Sequence, residues 1–525
     1  MAGFIAQAMA AADDIDDELL ALAEELQMDF LEQFNDDILR VPAIYNDDIP
    51  EEYRDNPLAS ALFVKLSKKD FVSLVSYLPH FDESFRPKSG SDRIKKACEL
   101  FKLVIPTTHF YELYSVMERM LFNSYIDRNP IKKAIKVNQY SLAIHKQIMD
   151  RGWKKTSGES FVYTGPSGLG KSTLVSRVAQ CFPQVIYHTE FNGEPYKQAQ
   201  LIWIKIKIPS DAARKNFSQL FLEAVDECLG TTYTKDNDGI SVGKYEALFR
   251  TIVSTYKLGM LIVDELQNLC VAKSGGDEVF LNFFSSLCDD LGVALVLVGT
   301  PNSTEVLSET FTATRRLTSG GDIHRDRFKK DDANWKLLVT KLWKHQYVNS
   351  PSEISTVEDK KTKILDPALF DEVYELTEGI PSILTFLFVQ AHIMAIEKPN
   401  KDGLEIINIS QLRRAFNKGS QLVKQAVLAI KDGDLDVYKD LMSVSEKERS
   451  PKKLIIIQDL KQLLDSKRLT KKAAAAVRKI VKELDNGYVL NEKEKSLLAN
   501  AKSKLELFHI ESNDVIEGEY SEVKS

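Results

Sequence analysis

Apolar residues along the chain follow three successive regimes, changing near residue 159 and again near residue 335. In residues 14–40, Ile15, Leu19, Leu22, Leu26, Phe30 and Phe34 fall at helical spacing with acidic residues between them. An amphipathic helix is expected there, docking on the body of the protein or on a partner. Pro42, Pro50, Pro57, Pro79 and Pro87 punctuate the next stretch, which reads as an extended linker with short helices. A mostly helical pattern then runs from the helix start SGSDR (89–93) to Gly152. Beyond it, short apolar runs at 159–165, 183–188, 201–208, 258–265 and 292–299 read as strands, and the last two are apolar throughout, as in central parallel strands buried on both faces. Helical segments at 172–180, 211–229, 243–257 and 277–290 alternate with them. The alternation predicts an α/β sandwich with right-handed crossovers. After about 335 the strand pattern stops and helices dominate.

Composition changes this picture little, and charge changes it more. At 525 residues, with 44% hydrophobic and 28% charged, the chain is an ordinary globular protein of three or four domains by length. No apolar run is long enough to span a bilayer, and no signal peptide is visible, so no membrane is expected. Cys98, Cys181, Cys228, Cys270 and Cys288 are scattered without a CxxC pair and read as reduced thiols of a cytosolic protein. No histidine falls in an HExxH spacing, so a zinc site is not expected. The net charge of −7 hides an asymmetry: residues 1–52 carry fifteen acids and one Arg. Residues 450–505 carry fourteen Lys or Arg against six acids, and residues 506–525 turn acidic again.

The strongest chemical signal is Gly165-Pro166-Ser167-Gly168-Leu169-Gly170-Lys171-Ser172, followed by Thr173, which fits GxxxxGK[ST] between a strand and a helix. Glycines let backbone N–H groups point inward at phosphate oxygens, and the following helix adds its positive end. Lys171 can reach the β- and γ-phosphates, and the Ser172 hydroxyl can ligate Mg²⁺. The apolar run 258–265 ends in Asp264 and Glu265. Asp264 can hold the metal shell, and Glu265 can orient or deprotonate the attacking water. At the tip of the 292–299 run, Thr300 or Asn302 can sense the γ-phosphate or fix the water, or simply cap the next helix. Arg315 and Arg316 end the helix after that, where ring-forming ATPases carry arginines that reach a neighbour's nucleotide.

In this order the residues resemble the AAA+ ATPases of the initiator clade, and more narrowly TnsC, the ATP-dependent regulator of target-selecting cut-and-paste transposons. The narrower resemblance is carried by YRDNPLASAL (53–62), DRNP (127–130), FPQVIYHTEFNG (182–193), DELQNL (264–269), LNFFSSLCDDLGVALVLVGTP (281–301) and TRRLTSGG (314–321). It runs from about 53 to 430. The resemblance implies a P-loop αβα core with a parallel sheet, a helical lid, and helical N- and C-terminal extensions. It also implies ATP and Mg²⁺ bound between subunits, self-assembly into a ring or filament on duplex DNA, and contacts to transposase subunits and a target-selector protein in a bacterial cytoplasm. Where many AAA+ proteins place a second sensor arginine, residues 379–388 (GIPSILTFLF) have none.

The DNA-facing residues expected from this resemblance are Lys205 and Lys207 on the 201–208 strand, Arg214 and Lys215 at the following helix start, and Thr232, Thr234 and Lys235 after it. Cations at a helix N-terminus can clamp a phosphate, and without a base-reading module the binding would be sequence-tolerant and salt-dependent. The expected organisation is an acidic partner-binding arm and linker (1–88), a helical extension (89–158), the ATPase core (159–340), a helical lid (341–430), and Lys-rich C-terminal helices with an acidic tail (431–525). The alternatives are a nucleotide-held adaptor whose turnover is incidental, and an initiator-like loader of replication proteins.

Overall fold

The computed structural model describes residues 38–45, 49–62, 66–131, 158–271, 276–307, 311–359, 362–419, 421–432 and 439–441. The amphipathic segment 14–37, the Lys-rich segment 471–484 and the acidic tail 506–525 lie outside the described residues.

Ten strands are described. β1 (Arg40–Pro42), β2 (Ser160–Thr164), β3 (Val185–Phe191), β4 (Glu194–Leu201) and β5 (Trp203–Lys207) precede β6 (Met260–Asp264), β7 (Ala294–Gly299) and β8 (Asp322–His324). β9 (Ser355–Asp359) and β10 (Thr362–Leu365) close the series. The central sheet has the order β5-β6-β7-β2-β8 and is parallel throughout, with Trp203 opposite Met260, Met260 opposite Ala294, and Ser160 opposite Leu295. β2, which leads into the phosphate loop, thus lies between β7 and β8, with β6 one strand further along.

Period-two alternation sends successive side chains of these strands to opposite faces. Ile204, Ile206, Leu261, Val263, Leu295 and Leu297 pack on one face with Phe217, Phe221, Phe249 and Phe284. These aromatics come from the helices Arg214–Leu229, Val242–Thr255 and Gly276–Leu291. Phe161, Tyr163, Ile262, Val296 and Val298 pack on the other with Leu174, Val175 and Val178 of the helix Lys171–Ala179. The expected three-layer AAA+ core is present.

That second face also takes Leu58, Leu62, Phe71 and Val75, and Leu113, Met117, Leu121 and Tyr125 of the helix Thr108–Ile126. The proline-punctuated stretch is therefore not an extended linker. Its short helices fill the core, and Asn56 caps one of them by accepting from the Leu58 N–H while donating to the Tyr125 carbonyl. Pro50 and Pro57 start helices here, at the cap and at the first helical position, while Pro42 ends β1.

Strands also continue beyond 335, against expectation. β9 and β10 form an antiparallel hairpin whose sequences, STVED and TKIL, are too polar to register as apolar runs. β4 (EPYKQAQL) was hidden for the same reason: its first half is exposed. It is joined to β3 by Asn192-Gly193, both at positive φ, as a two-residue hairpin turn requires.

The lid packs around Trp335, Val339, Trp343, Phe370, Val373, Leu387 and Phe388. The helix Ala333–Trp343, which straddles the expected boundary at 340, belongs to this core. Ala97 and Leu100 of the N-terminal extension enter it too. Arg93 ties them in: its guanidinium forms a bidentate, buried pair with Glu405 and also donates to the Tyr347 and Lys88 carbonyls. Among the described residues no single helix is long and apolar enough to cross a membrane.

Breaking a buried pair leaves an uncompensated charge, so Arg93→Ala should cost about 3–5 kcal/mol of unfolding free energy. Replacing both partners by Met and Leu should cost less than Arg93→Ala alone. Denaturant titration of the three proteins measures both.

Candidate functional site

The carboxyl ends of β2, β6 and β7 open into a cavity of about 470 Å³. Its floor is the phosphate loop, from Ser167 to Thr173. Gly168 and Gly170 take φ of 83° and 80°, which side-chain-bearing residues rarely adopt. A Cβ on Gly168 would meet Ser382 of the lid at 2.4 Å, so glycine is needed there twice over. The lid touches the loop directly, through the Ser382 N–H donating to the Gly168 carbonyl at 3.1 Å. Pro381, Ser382 and Thr385 complete that wall, and all are uncharged, in keeping with the missing lid arginine.

Lys171 is the cation of the floor. Its ammonium donates to the Pro166 carbonyl at 2.9 Å. Burial pushes its pKa down to about 8, against the opposing pull of Asp264, Glu265 and Asp440. A buried lysine held by a backbone carbonyl is available to a phosphate oxygen without first breaking an ion pair. Asp440 lies in residues 439–441, whose backbone caps the loop: the Asp440 carbonyl accepts from the Ser167 N–H at 2.8 Å, and Arg327 donates to the Leu441 carbonyl at 3.0 Å.

Asp264 ends β6 with 2% exposure, and Glu265 follows at φ 60°, a strained value for a glutamate. Asp264 Oδ1 accepts from the Glu265 N–H at 2.9 Å. The Glu265 carboxylate accepts from the Gln267 amide, whose own oxygen accepts from the Thr300 N–H at 3.1 Å. Gln267 therefore ties the acid to the neighbouring strand tip. Its only sequence signal was its place in DELQNL, two residues beyond Glu265. Thr300 lines the cavity with its hydroxyl oxygen buried and unpartnered, a donor for a phosphate oxygen or a water. Asn302 is not among the cavity-lining residues.

These groups fit a triphosphate and Mg²⁺: positive-φ glycines, a buried ammonium, a buried carboxylate beside the Ser172 turn, and an orphaned hydroxyl. The remaining wall was not foreseen. Leu103, Val104, Ile105 and Phe110 of the N-terminal extension, with Phe328, form an apolar end. The His109 ring stacks on Phe328 at 5.6 Å, and burial holds its pKa below the ordinary histidine value. An apolar, aromatic-lined end suits a planar base. Nothing in residues 101–110 announces this, because the fold brings them there from outside the nucleotide motifs.

Lys205 does not face outward as a DNA contact. Its ammonium lies 3.0 Å from Asp264 Oδ2 and donates to Ser176 Oγ at 2.8 Å and the Ser172 carbonyl at 3.2 Å. Alternation correctly puts it on the opposite face from Ile204 and Ile206, but that face is covered by the helix Lys171–Ala179. Lys207, two residues further, is exposed. Arg214 starts the helix Arg214–Leu229 and pairs with Glu246 at 2.7 Å, and Lys215 is exposed. At the other end of this helix, Asp226 accepts from Thr231 Oγ1 and from the N–H groups of Tyr233 and Thr234, shaping the turn that presents Thr232 and Lys235. The Thr234 hydroxyl is buried without a partner. Arg315 and Arg316 are exposed at the end of the helix Phe311–Leu317, and neither lines the cavity. Arg316 stands 4.0 Å from Asp289.

Residues 142–321 match the family model described as the bacterial TniB protein. The resemblance to a transposition-associated AAA+ ATPase is borne out over that stretch, about a third of the chain. No curated protein matches the chain significantly. Similar solved structures include a Walker-type ATPase of Pyrococcus abyssi, at TM-score 0.34 and 14% identity, covering 64% of this chain and 86% of that one. The Aeropyrum pernix ORC2 protein gives TM-score 0.33 and 13% identity, covering 72% and 87%. Cdc6p from Pyrobaculum aerophilum gives 0.33 and 14%, covering 74% and 89%.

Phosphate oxygens favour a protonated Lys171, so a bound nucleotide would raise its pKa from about 8. Nucleotide affinity should be flat below pH 8. Above it, affinity should fall by up to about tenfold per pH unit until the bound-state pKa is reached. Equilibrium binding of a fluorescent ATP analogue from pH 7 to 10 checks this, and Lys171→Arg should flatten the profile.

Proposed function

We propose that the chain is an ATP-dependent regulator of DNA transposition that assembles on target duplex DNA and couples a target-selector protein to transposase subunits. The observation that carries this reading is the joining of Lys171, Asp264, Glu265 and Thr300 in one cavity, within a stretch that matches the TniB family.

ATP with Mg²⁺ supplies the transferable phosphoryl group and the charge that assembly responds to. The chain's residues do the rest. The N–H groups from Gly168 to Thr173 and the Lys171 ammonium hold the phosphates. Ser172 and Asp264 hold the ion. Glu265, fixed by Gln267, takes the proton of the attacking water, and Thr300 orients that water or the γ-phosphate. Leu103, Ile105, Phe110 and the lid keep bulk water from the rest of the cavity.

Assembly is inferred from where the arginines stand. Among the described residues the lid brings no arginine to the cavity, and Arg325, which lines it, is held by Glu112. Arg315 and Arg316 are exposed and away from the chain's own site, as arginines that serve a neighbouring subunit must be. ATP binding thus favours assembly, and hydrolysis through Glu265 loosens it. Duplex DNA would run along the helix Arg214–Leu229. Lys207, Arg214 and Lys215 stand near one end and Thr232 and Lys235 at the other, roughly 22 Å apart at 1.5 Å per residue; the buried Thr234 hydroxyl is not among these contacts. These contacts are to backbone phosphates, so they tolerate any sequence.

Lys171→Ala should abolish assembly on duplex DNA with a slowly hydrolysed ATP analogue, as seen by electron microscopy. A Lys171→Ala protein that still assembles with ATP overturns the mechanism. Glu265→Gln should assemble but turn over at least about 100-fold more slowly. Normal target choice by that variant would instead favour a nucleotide-held adaptor.

The double change Arg214→Ala, Lys215→Ala should weaken DNA binding and lower the slope of log affinity against log salt by about two. Filter binding at several salt concentrations reads both effects.

A further inference from the structure

Asp264 is nearly enclosed, its side chain 3% exposed. A carboxylate that buried needs a counter-charge, and here it has one without any metal ion. Oδ1 accepts from the Glu265 N–H, and Oδ2 faces the Lys205 ammonium at 3.0 Å. Lys205 itself is anchored from behind by Ser176 Oγ at 2.8 Å and the Ser172 carbonyl at 3.2 Å, both on the phosphate-loop helix.

This arrangement bears on how a divalent ion enters. A dication bound through Asp264 would sit beside a carboxylate edge that already holds one positive charge. Two cations sharing that edge repel at short range in a water-poor site. The lysine stem is flexible, and its ammonium keeps two oxygen partners if it withdraws from Oδ2. Retreat therefore leaves two of its three donors partnered.

We propose that Lys205 is a resident counter-ion of the metal-binding carboxylate: it neutralises Asp264 while no divalent ion is bound and yields that carboxylate as the ion arrives. The inference rests on the reading of the cavity as a Mg²⁺–nucleotide site. It gives Lys205 a role in setting the Mg²⁺ concentration at which the site fills, and so the threshold for assembly. A lysine that merely props Asp264 in place predicts the opposite sign, because its removal would weaken the metal site.

The test is the Mg²⁺ concentration that half-saturates binding of a fluorescent ATP analogue to the full-length protein. Lys205→Met should lower it by about tenfold, equivalent to about 1.4 kcal/mol, while Lys205→Arg should stay close to wild type. Without nucleotide, Lys205→Met should melt lower than wild type in EDTA, and Mg²⁺ alone should recover more of its melting temperature than it does for wild type. Should Lys205→Met not fold, Lys205→Gln carries the same test, because it keeps a donor for Ser176 Oγ. A half-point unchanged or raised in the neutral variant overturns the inference and leaves the nucleotide reading standing. Wild-type protein that binds no analogue at any Mg²⁺ concentration overturns both.

Discussion

The site depends on keeping opposite charges close together, out of water, and unsatisfied enough to accept a ligand. Lys171, Lys205, Asp264 and Glu265 all reach the mouth of one sheet. In a low-dielectric setting such charges must be paired or hydrogen-bonded, yet a phosphate site fully neutralised by its own residues would bind nothing. The protein resolves this by assigning partners unevenly. Lys205 takes Asp264, and Gln267 takes Glu265. Among the described residues Lys171 is left with only a backbone carbonyl, and burial weakens its hold on its proton. The group meant for phosphate is thus the least committed of the four.

That balance requires walls, and the walls come from three separate stretches of chain. The strands and phosphate loop supply the polar floor. Residues 103–110 supply an apolar end because the helix Thr108–Ile126 packs across the sheet and fixes the segment before it. The lid closes a third side through Ser382 and Gly168, and Arg93 with Glu405 fastens the N-terminal extension to the lid. The extension and lid are therefore linked through a buried ion pair and a shared apolar core. The exposed Arg315 and Arg316 lie outside this enclosure.

How much of this was legible follows from the kind of signal each part leaves. The phosphate loop, Asp264 and Glu265 were readable because their residue types, spacing and flanking strand and helix are all local. The core strands were readable because burial on both faces makes them uniformly apolar. β4 was not, because a half-exposed strand carries polar residues, and β9 and β10 were not, because STVED and TKIL are polar sequences. Even so, Asn192-Gly193 gave a usable turn signal for the β3–β4 hairpin. Lys205 shows a different limit. Alternation along WIKIK correctly sets lysines and isoleucines on opposite faces, but it cannot say what covers a face. Here the phosphate-loop helix covers it, and a residue expected to face DNA became the partner of Asp264. The proline-rich stretch failed in the same way, since helix starts and linkers use prolines alike.

The exposed charges raise a separate question of arrangement. A cation useful to a polyanion must be held in place without being neutralised. Lys207 and Lys215 meet this by exposure on ordered elements, a strand edge and a helix start. Arg214 is paired with Glu246 in the free chain, so a phosphate must draw it from that carboxylate. At the far end of the helix, Asp226 spends its carboxylate on two backbone N–H groups and the Thr231 hydroxyl, and it does not oppose Lys235 directly. A carboxylate used in this way orders a turn while its charge is shared among donors. The whole chain can therefore be acidic, at −7, and still carry a locally positive edge, because the excess acid lies elsewhere, chiefly in residues 1–52. On the helix Arg214–Leu229 the positive charge is confined to Arg214 and Lys215 in the first turn, because Glu223, Asp226 and Glu227 follow further along.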